Sequence, residues 1–309
     1  MTQPMLAVEE GPQWVFERYE EIRSRLPSAR FAASSKHCGS LSELINRFDA
    51  FLFDSFGVLN VGDMPVPGAT ACIEALRSAG KQVMVLTNAA TGSIASLPNK
   101  YSQLGFDFTS NEIVSSRQVL AMSLAQFPLA DWRWAVAAPG NAAIEEIVKN
   151  YSILGGQDAG LGDVDGFILL STSGWSENHA TALRHALRER PRPVLVGNPD
   201  LVAPREGGLS LEPGSVAHEL LDEFPGLDVR FFGKPFGNAF EEALRRLPCN
   251  VCRDRVAMVG DTLHTDILGG AAAGCRTVLV TDWGVLKGFD IDDAISRSGI
   301  VPDFMMPSI

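Results

Sequence analysis

The sequence predicts an α/β fold built on a doubly wound, mostly parallel sheet. Three observations carry this. Short apolar runs alternate with helix-periodic stretches along all 309 residues. One of these runs, Phe51-Leu52-Phe53, is apolar at every position, as a strand covered on both faces has to be. That run, the helical pattern at 69–79 and the apolar run at 82–86 also form a strand–helix–strand unit, whose crossover is right-handed in a parallel sheet.

The elements follow in order. Residues 12–27 read as an amphipathic helix, with Trp14, Val15, Tyr19, Ile22 and Leu26 near helical spacing and Glu and Arg between them; we expect a packing appendage. Residues 28–40 are rich in Ser and Ala and predict no element, and 41–48 predicts a short helix. The Phe51-Leu52-Phe53 strand then delivers Asp54 to its carboxyl end, where open α/β sheets place their chemistry. Gly57 and a loop with Gly62, Pro65, Pro67 and Gly68 lead to the helix at 69–79, which stops at Gly80. The next strand ends at Thr87-Asn88, and Pro98 predicts a helix start. Further strands are expected at 113–114, 134–137, 166–170 and 194–196, with helices at 116–126, 141–149 and 176–189. The loop Gly197-Asn198-Pro199-Asp200, a polar turn around Glu206-Gly207-Gly208, a helix near 215–223 and a strand at 229–232 complete the middle. The last third reads most clearly. Gly233-Lys234-Pro235 precedes a helix at 237–246, a strand at 255–259 ends in Gly260-Asp261, and a helix opened by residues 262–266 stops at Gly274 before a strand at 277–280.

Composition narrows the class. A hydrophobic content of 46% fits a soluble globular chain of one large or two smaller domains. A net charge of −11 argues against nucleic acid or an anionic membrane surface as partner, yet leaves room for a local basic site that binds a small anion. The N-terminal MTQPMLAVEEGPQ lacks a basic stretch followed by an apolar one, so no signal peptide is expected. Five scattered cysteines suit a reducing, cytoplasmic setting. Cys249-Asn-Val-Cys252 has zinc-ligand spacing, but no second Cys or His pair lies near it in sequence.

Asp54, Thr87-Asn88, Lys234 and Asp261 with Asp266 all fall at strand ends or in loops, and they suit phosphoryl transfer as a set. A carboxylate can attack phosphorus and form an aspartyl-phosphate. A hard, oxygen-bound Mg²⁺ held by carboxylates such as Asp54 and Asp261 would neutralise the attacked group. Lys234 adds a point charge, and Thr87 a hydroxyl and an N–H. Each residue also has a plain reading: Lys234 as a solvated residue before a helix, Asp266 as an acid facing a helix dipole, Thr87 as a cap. Taken singly, each plain reading is the stronger one; the functional reading prevails only through the order and spacing that the set shares with a known family.

The ordered motifs Asp-x-x-Gly, Thr-Asn, Gly-Lys-Pro and Gly-Asp-x-x-x-x-Asp resemble the haloacid dehalogenase superfamily. Asp54 and Thr87 stand too close for a large insertion, whereas the span from Thr87 to Lys234 holds a small α/β cap; this layout is similar to the NagD-like class IIA. The resemblance covers 48–309. It implies a Rossmann-like core (48–90 and 231–309), a cap at 91–230 and an unmatched extension at 1–47. It also implies Asp54 as nucleophile and metal ligand, the Phe56 carbonyl and Asp261 as further ligands, Asp266 as support from behind, and Thr87, Asn88 and Lys234 as holders of the phosphoryl group. The implied cofactor is Mg²⁺, the implied substrate a small phosphorylated metabolite such as a sugar phosphate, and family members often pair through the cap as homodimers.

One departure matters. Phosphatases of this family carry Asp-x-Asp-Gly, and the second Asp protonates the leaving oxygen and then activates water; here that position is Phe56. Losing such a group costs about 10²–10⁴ in rate. The outcomes left open are slow hydrolysis or restriction to good leaving groups, a substitute such as His264 or His218 (both expected as exposed helix residues), dehalogenation, or phosphate binding without catalysis. Against dehalogenation stand the retained Asp261 and Asp266 and the cap position. Within the insert, Ser173-Gly174-Trp175, Asn198, Asp200 and Arg205 are the expected substrate contacts, with Ser115, Ser116 and Arg117 as weaker candidates. Asn198-Pro199-Asp200 also reads simply as a turn.

Overall fold

The computed structural model describes residues 11–309 except 126–130, 156–159 and 206–207. Seven parallel strands form the larger sheet, in the order Lys36–His37, Phe304–Met306, Arg276–Val280, Val256–Gly260, Ala50–Phe53, Gln82–Thr87 and Ile113–Ser115. The interior strand Ala50–Phe53 is buried along its whole length. Phe51 and Phe53 enter one apolar cluster and Ala50 and Leu52 another, so both faces of the sheet are covered. This is why the strand is a continuous apolar run instead of an alternating one.

The chain steps from Ala50–Phe53 outward to Gln82–Thr87 and Ile113–Ser115, and later from Val256–Gly260 outward the other way. The direction reverses beside Ala50–Phe53, so a crevice opens at its carboxyl end, where Asp54 follows. Helix Ala69–Ser78 ends before Gly80, whose φ of +73° is reached at little cost without a Cβ. Helix Leu97–Gln103 starts with Pro98 in its first turn, as expected.

A second parallel sheet of five strands has the order Val229–Phe231, Val194–Val196, Gly166–Leu169, Trp134–Ala137 and Tyr151–Ile153. Its own apolar cluster joins Phe167, Leu183, Val196 and Leu220. An antiparallel hairpin, Val202–Arg205 with Gly208–Leu211, leaves it; the polar turn expected at 206–208 falls here, and 206–207 lie outside the described residues.

Several expectations need correction. Strand Ile113–Ser115 pairs with Gln82–Thr87, and Leu97, Tyr101 and Leu104 pack in the larger unit's core, so the insert begins after Ser115 and not at 91. Residues 28–40 are not featureless and 1–47 is not purely helical, because Lys36–His37 pairs with Phe304–Met306 as an edge strand. The helix expected at 141–149 is only a short turn at Ile144–Glu146. Ala143 sits at φ +47°, and the Arg117 guanidinium takes the carbonyls of Ala142 and Ala143, which a helix would need. Helix Ile291–Ser298 and strands Tyr151–Ile153 and Phe304–Met306 have no counterpart in the sequence reading. Among the described residues, no helix is long and apolar enough to cross a membrane.

Candidate active site

Three strands of the larger sheet deliver the site. Ala50–Phe53 is followed by Asp54, Gln82–Thr87 ends in Thr87 before Asn88, and Val256–Gly260 is followed by Asp261. Lys234 comes from the loop that returns from the smaller sheet, and Asp266 from the turn after Asp261. The six wall one cavity of about 510 Å³ or lie directly behind it, with Asp54, Thr87, Asn88 and Asp261 on its surface.

Lys234 is the hub. Its Nζ lies 2.5 Å from Asp54 Oδ1 and 2.7 Å from Asp266 Oδ1, and the side chain is almost fully buried. Burial alone would lower the ammonium's pKa; Asp266, Asp54 and Asp200 outweigh it and hold the group above the ordinary lysine value. Asn88 fixes the Lys234 backbone from both sides, accepting from its N–H at 2.8 Å and donating to its carbonyl at 2.9 Å. The same Asn88 Nδ2 donates to Asp200 Oδ1 at 2.8 Å and so ties the insert to the site.

One oxygen from each of Asp54, Asp261 and Asp266 lies within 4.8 Å of the others. Burial pushes the Asp54 carboxyl up to about 6, against the pull of Lys234. Asp261 is raised well above the carboxylate range by burial and by repulsion from Asp266 and Asp54. A cation beside Asp54 and Asp261 would favour the charged forms of these two carboxyls. The donor set, all hard carboxylate oxygens, fits a divalent metal of the magnesium type.

The three acids differ in what they have left to give. Asp266 is fully used: Oδ1 accepts from Lys234, and Oδ2 accepts from the Asp261 and Thr262 N–H groups at 3.1 Å each. It orients the site from behind. A wide π-type turn at Leu263–Ile267 brings it back to that position, and such turns recur at functional sites. Asp261 is held by the Val285 N–H at 2.7 Å and the Thr262 hydroxyl at 3.1 Å. Two glycines allow this seat. A Cβ on Gly57 or Gly284 would come within 2.6 Å or 2.0 Å of Asp261 Oδ2.

Ser55, although not singled out in the sequence, supports the turn. Its hydroxyl donates to Asn60 Oδ1 at 2.8 Å and accepts from the buried Tyr101 hydroxyl at 3.0 Å. Of the candidates in the insert, Ser173, Asn198, Asp200 and Arg205 face the cavity. Trp175 instead stacks on His179 and packs in the smaller sheet's core. Ser115, Ser116 and Arg117 are buried and do not line it. The turn reading of Asn198-Pro199-Asp200 also holds, since Asn198 Oδ1 accepts from the Asp200 N–H at 3.1 Å. Burial raises the Asp200 carboxyl to about 8, although Lys234 opposes this.

Neither histidine stands in for a missing acid. His264 is buried, not exposed as expected; it bonds Glu20 at 2.5 Å and stacks on Tyr19 with ring centres 4.9 Å apart. His218 is buried too, against Phe231. The N-terminal helix Gly11–Glu21 is more than an appendage. Tyr19 reaches the cavity and its hydroxyl accepts from the Leu201 N–H at 3.3 Å, while Arg18 pairs with Asp222 of the insert. The residue missed most plainly is Lys100. Its Nζ sits 4.5 Å from the centre of the Phe56 ring, and burial and Arg205 push its ammonium down to about 8.

Comparison with known proteins agrees with this geometry. Residues 51–153 match the family model described as haloacid dehalogenase-like hydrolase, and residues 231–308 match a second HAD-hydrolase-like model. The human glycerol-3-phosphate phosphatase is 30% identical over 86% of this chain and 90% of its own. The chain belongs to the haloacid dehalogenase-like hydrolases. A solved structure described as a possible sugar phosphatase of this superfamily, from Cytophaga hutchinsonii, is 28% identical with a TM-score of 0.75, covering 91% of this chain and 98% of that one. A glycerol phosphate phosphatase from Mycobacterium tuberculosis, solved in complex with calcium, is 25% identical with a TM-score of 0.64, covering 85% and 74%. Phosphatases of this family generally work with a divalent metal. The second sheet, inserted between Thr87 and Lys234, is the arrangement of the family's NagD-like class IIA.

Proposed function

We propose that this protein is a Mg²⁺-dependent phosphatase of small phosphate monoesters, acting through an aspartyl-phosphate on Asp54. The single observation that carries the reading is the Lys234 ammonium bridging Asp54 at 2.5 Å and Asp266 at 2.7 Å inside the three-carboxylate cluster. Relatives named 4-nitrophenylphosphatase, glycerol-3-phosphate phosphatase and phosphoglycolate phosphatase support the substrate class.

Asp54, Asp261 and the Phe56 carbonyl would hold the metal, with Asp266 behind them. Bound there, the ion would neutralise charge on the phosphoryl oxygens. Asp54 attacks phosphorus and the P–O bond to the leaving group breaks, the departing alkoxide or phenolate taking its proton from solvent; water then attacks phosphorus, releasing phosphate and returning the Asp54 carboxylate. Lys234 and Thr87 hold the phosphoryl oxygens, and Asn88 keeps the Lys234 backbone in place. Residues 116–230 act as the cap over the crevice, with Asn198, Asp200 and Arg205 facing the substrate. Phe56 offers no proton to the leaving oxygen, so esters with good leaving groups are favoured. The same residue supports a second reading, phosphate binding without efficient turnover.

The test is 4-nitrophenyl phosphate hydrolysis with Mg²⁺ and with chelator. Turnover that needs metal and is abolished in Asp54→Asn is expected. An Asp54→Asn rate equal to wild type sinks the assignment. A silent wild type that nonetheless binds phosphate in the presence of Mg²⁺ supports the second reading.

A further inference from the structure

The Phe56 ring is flanked by two cations from different parts of the fold. Lys100 Nζ, on helix Leu97–Gln103 beside the larger sheet, lies 4.5 Å from the ring centre. The Arg205 guanidinium carbon, at the end of the insert's hairpin strand Val202–Arg205, lies 5.0 Å from it. Both side chains line the same cavity as Asp54, Thr87 and Asp261.

Their charges are not spent in the way the Lys234 charge is. The Lys234 charge is paired with two carboxylates, Asp54 and Asp266. Arg205 shares its charge with one acid, Glu212, at 3.0 Å. Lys100 has no carboxylate within ion-pair distance among the described residues; Asp54 and Asp63 act on it only from farther away. Burial and repulsion from Arg205 both disfavour its charge, so an arriving anion gains from relieving both.

Phe56 explains why the charge is left over. A carboxylate at this position would stand beside Lys100 and neutralise it. An aromatic ring attracts both cations through its quadrupole, more weakly than an ion pair, and leaves their net charge available. The residue that removes a proton donor therefore also opens a basic patch next to the reaction centre.

We infer that Lys100 and Arg205, set over the Phe56 ring, form a second anion-binding subsite that selects phosphate esters bearing a further anionic group, a carboxylate in a small substrate. This deepens the phosphatase reading and rests on it for the position of the phosphate. Arg205 comes from the insert and Lys100 from the larger unit, so an anion that bridges them engages both at once.

The experiment measures binding and not turnover. Methylphosphonate and phosphonoacetate, which adds one carboxylate, are titrated calorimetrically into the full-length protein in Mg²⁺. Phosphonoacetate is expected to bind about tenfold tighter or more, since a charge-assisted contact is gained. Lys100→Met and Arg205→Gln each bring the ratio of the two dissociation constants toward one, and Lys100→Arg restores it. Equal affinities in wild type overturn the proposal, as does a preference that survives in both neutral variants, because the carboxylate would then be bound elsewhere. The two variants lie on separate elements, so misfolding of one leaves the other to decide. Hydrolysis of 4-nitrophenyl phosphate, followed in parallel, reports the phosphatase reading separately. Turnover without a phosphonoacetate preference sinks only the subsite, and a preference without turnover sinks only the catalytic reading.

Discussion

Replacing Phe56 by Asp puts a carboxylate back into the crevice, and the structure indicates what that does. The ring's contacts with Lys100 and Arg205, at 4.5 Å and 5.0 Å from its centre, are lost. At a partly exposed site these are worth about 0.5–1 kcal/mol each. A carboxylate at about 5 Å from each cation would be attracted by about 3 kcal/mol per pair at an effective dielectric near 20, before desolvation. The turn itself is held by backbone, including the Gly57 N–H to the Asn60 carbonyl at 2.8 Å, so it survives the change. The variant is therefore expected to fold and to place an acid beside the leaving oxygen. Acid–base assistance contributes about 10²–10⁴ in rate, or roughly 3–5 kcal/mol of barrier. That gain falls on substrates whose leaving group needs a proton. The assay compares kcat for glycerol phosphate with kcat for 4-nitrophenyl phosphate, in Mg²⁺, for wild type and Phe56→Asp. The alkyl ester is expected to gain about 100-fold or more while the aryl ester changes far less. An equal rise for both esters, or no rise for the alkyl ester, refutes the reasoning that position 56 lacks a proton donor.

Two further outcomes follow from the packing around the site. Asn88→Ala removes the hydrogen bonds that Asn88 makes to the Lys234 N–H, the Lys234 carbonyl and Asp200 Oδ1. Urea unfolding should show a loss of about 2–4 kcal/mol, and a loss below about 0.5 kcal/mol would mean water replaces the amide. His218 is buried with Nδ1 unpartnered, and burial, aided by Arg25 and Arg18, pushes its pKa down to about 3, with Asp222 opposing. The unfolded chain takes up this proton near pH 6.5, so the folded state is fully stable above that and loses stability as pH falls toward 3. Between pH 7 and pH 5 the loss is about 2 kcal/mol, and thermal melts of His218→Leu should lack this share of the acid slope. A variant slope equal to wild type would place the acid sensitivity in the carboxylates alone.

How much of this was legible in the sequence depends on the distance over which each interaction acts. The strands at 134–137 and 194–196 and the helix at 237–246 matched to the residue, because an apolar run or a helical period is a local pattern. The helix expected at 141–149 failed because Arg117, far away in the chain, takes its carbonyls. The edge strand Lys36–His37 is two exposed residues, which carry no apolar signal; only its pairing with Phe304–Met306 defines it.

The site divides along the same line. Asp54, Thr87, Asn88, Lys234, Asp261 and Asp266 were named from the chain alone, since residues at strand ends and in fixed motif order announce themselves by position. The sequence also sufficed for the α/β class, because both rest on short-range periodicity and turn chemistry. What only the tertiary structure decided is the balance of charge among these residues. Lys234 is paired with two acids, Asp266 is consumed as support, and Lys100 lies on the ring of Phe56 with no carboxylate at ion-pair distance among the described residues. Whether a charge is spent or free depends on which groups the fold brings within a few ångströms of it, and how dry the space between them is. Neither quantity is written in the spacing of residues along the chain.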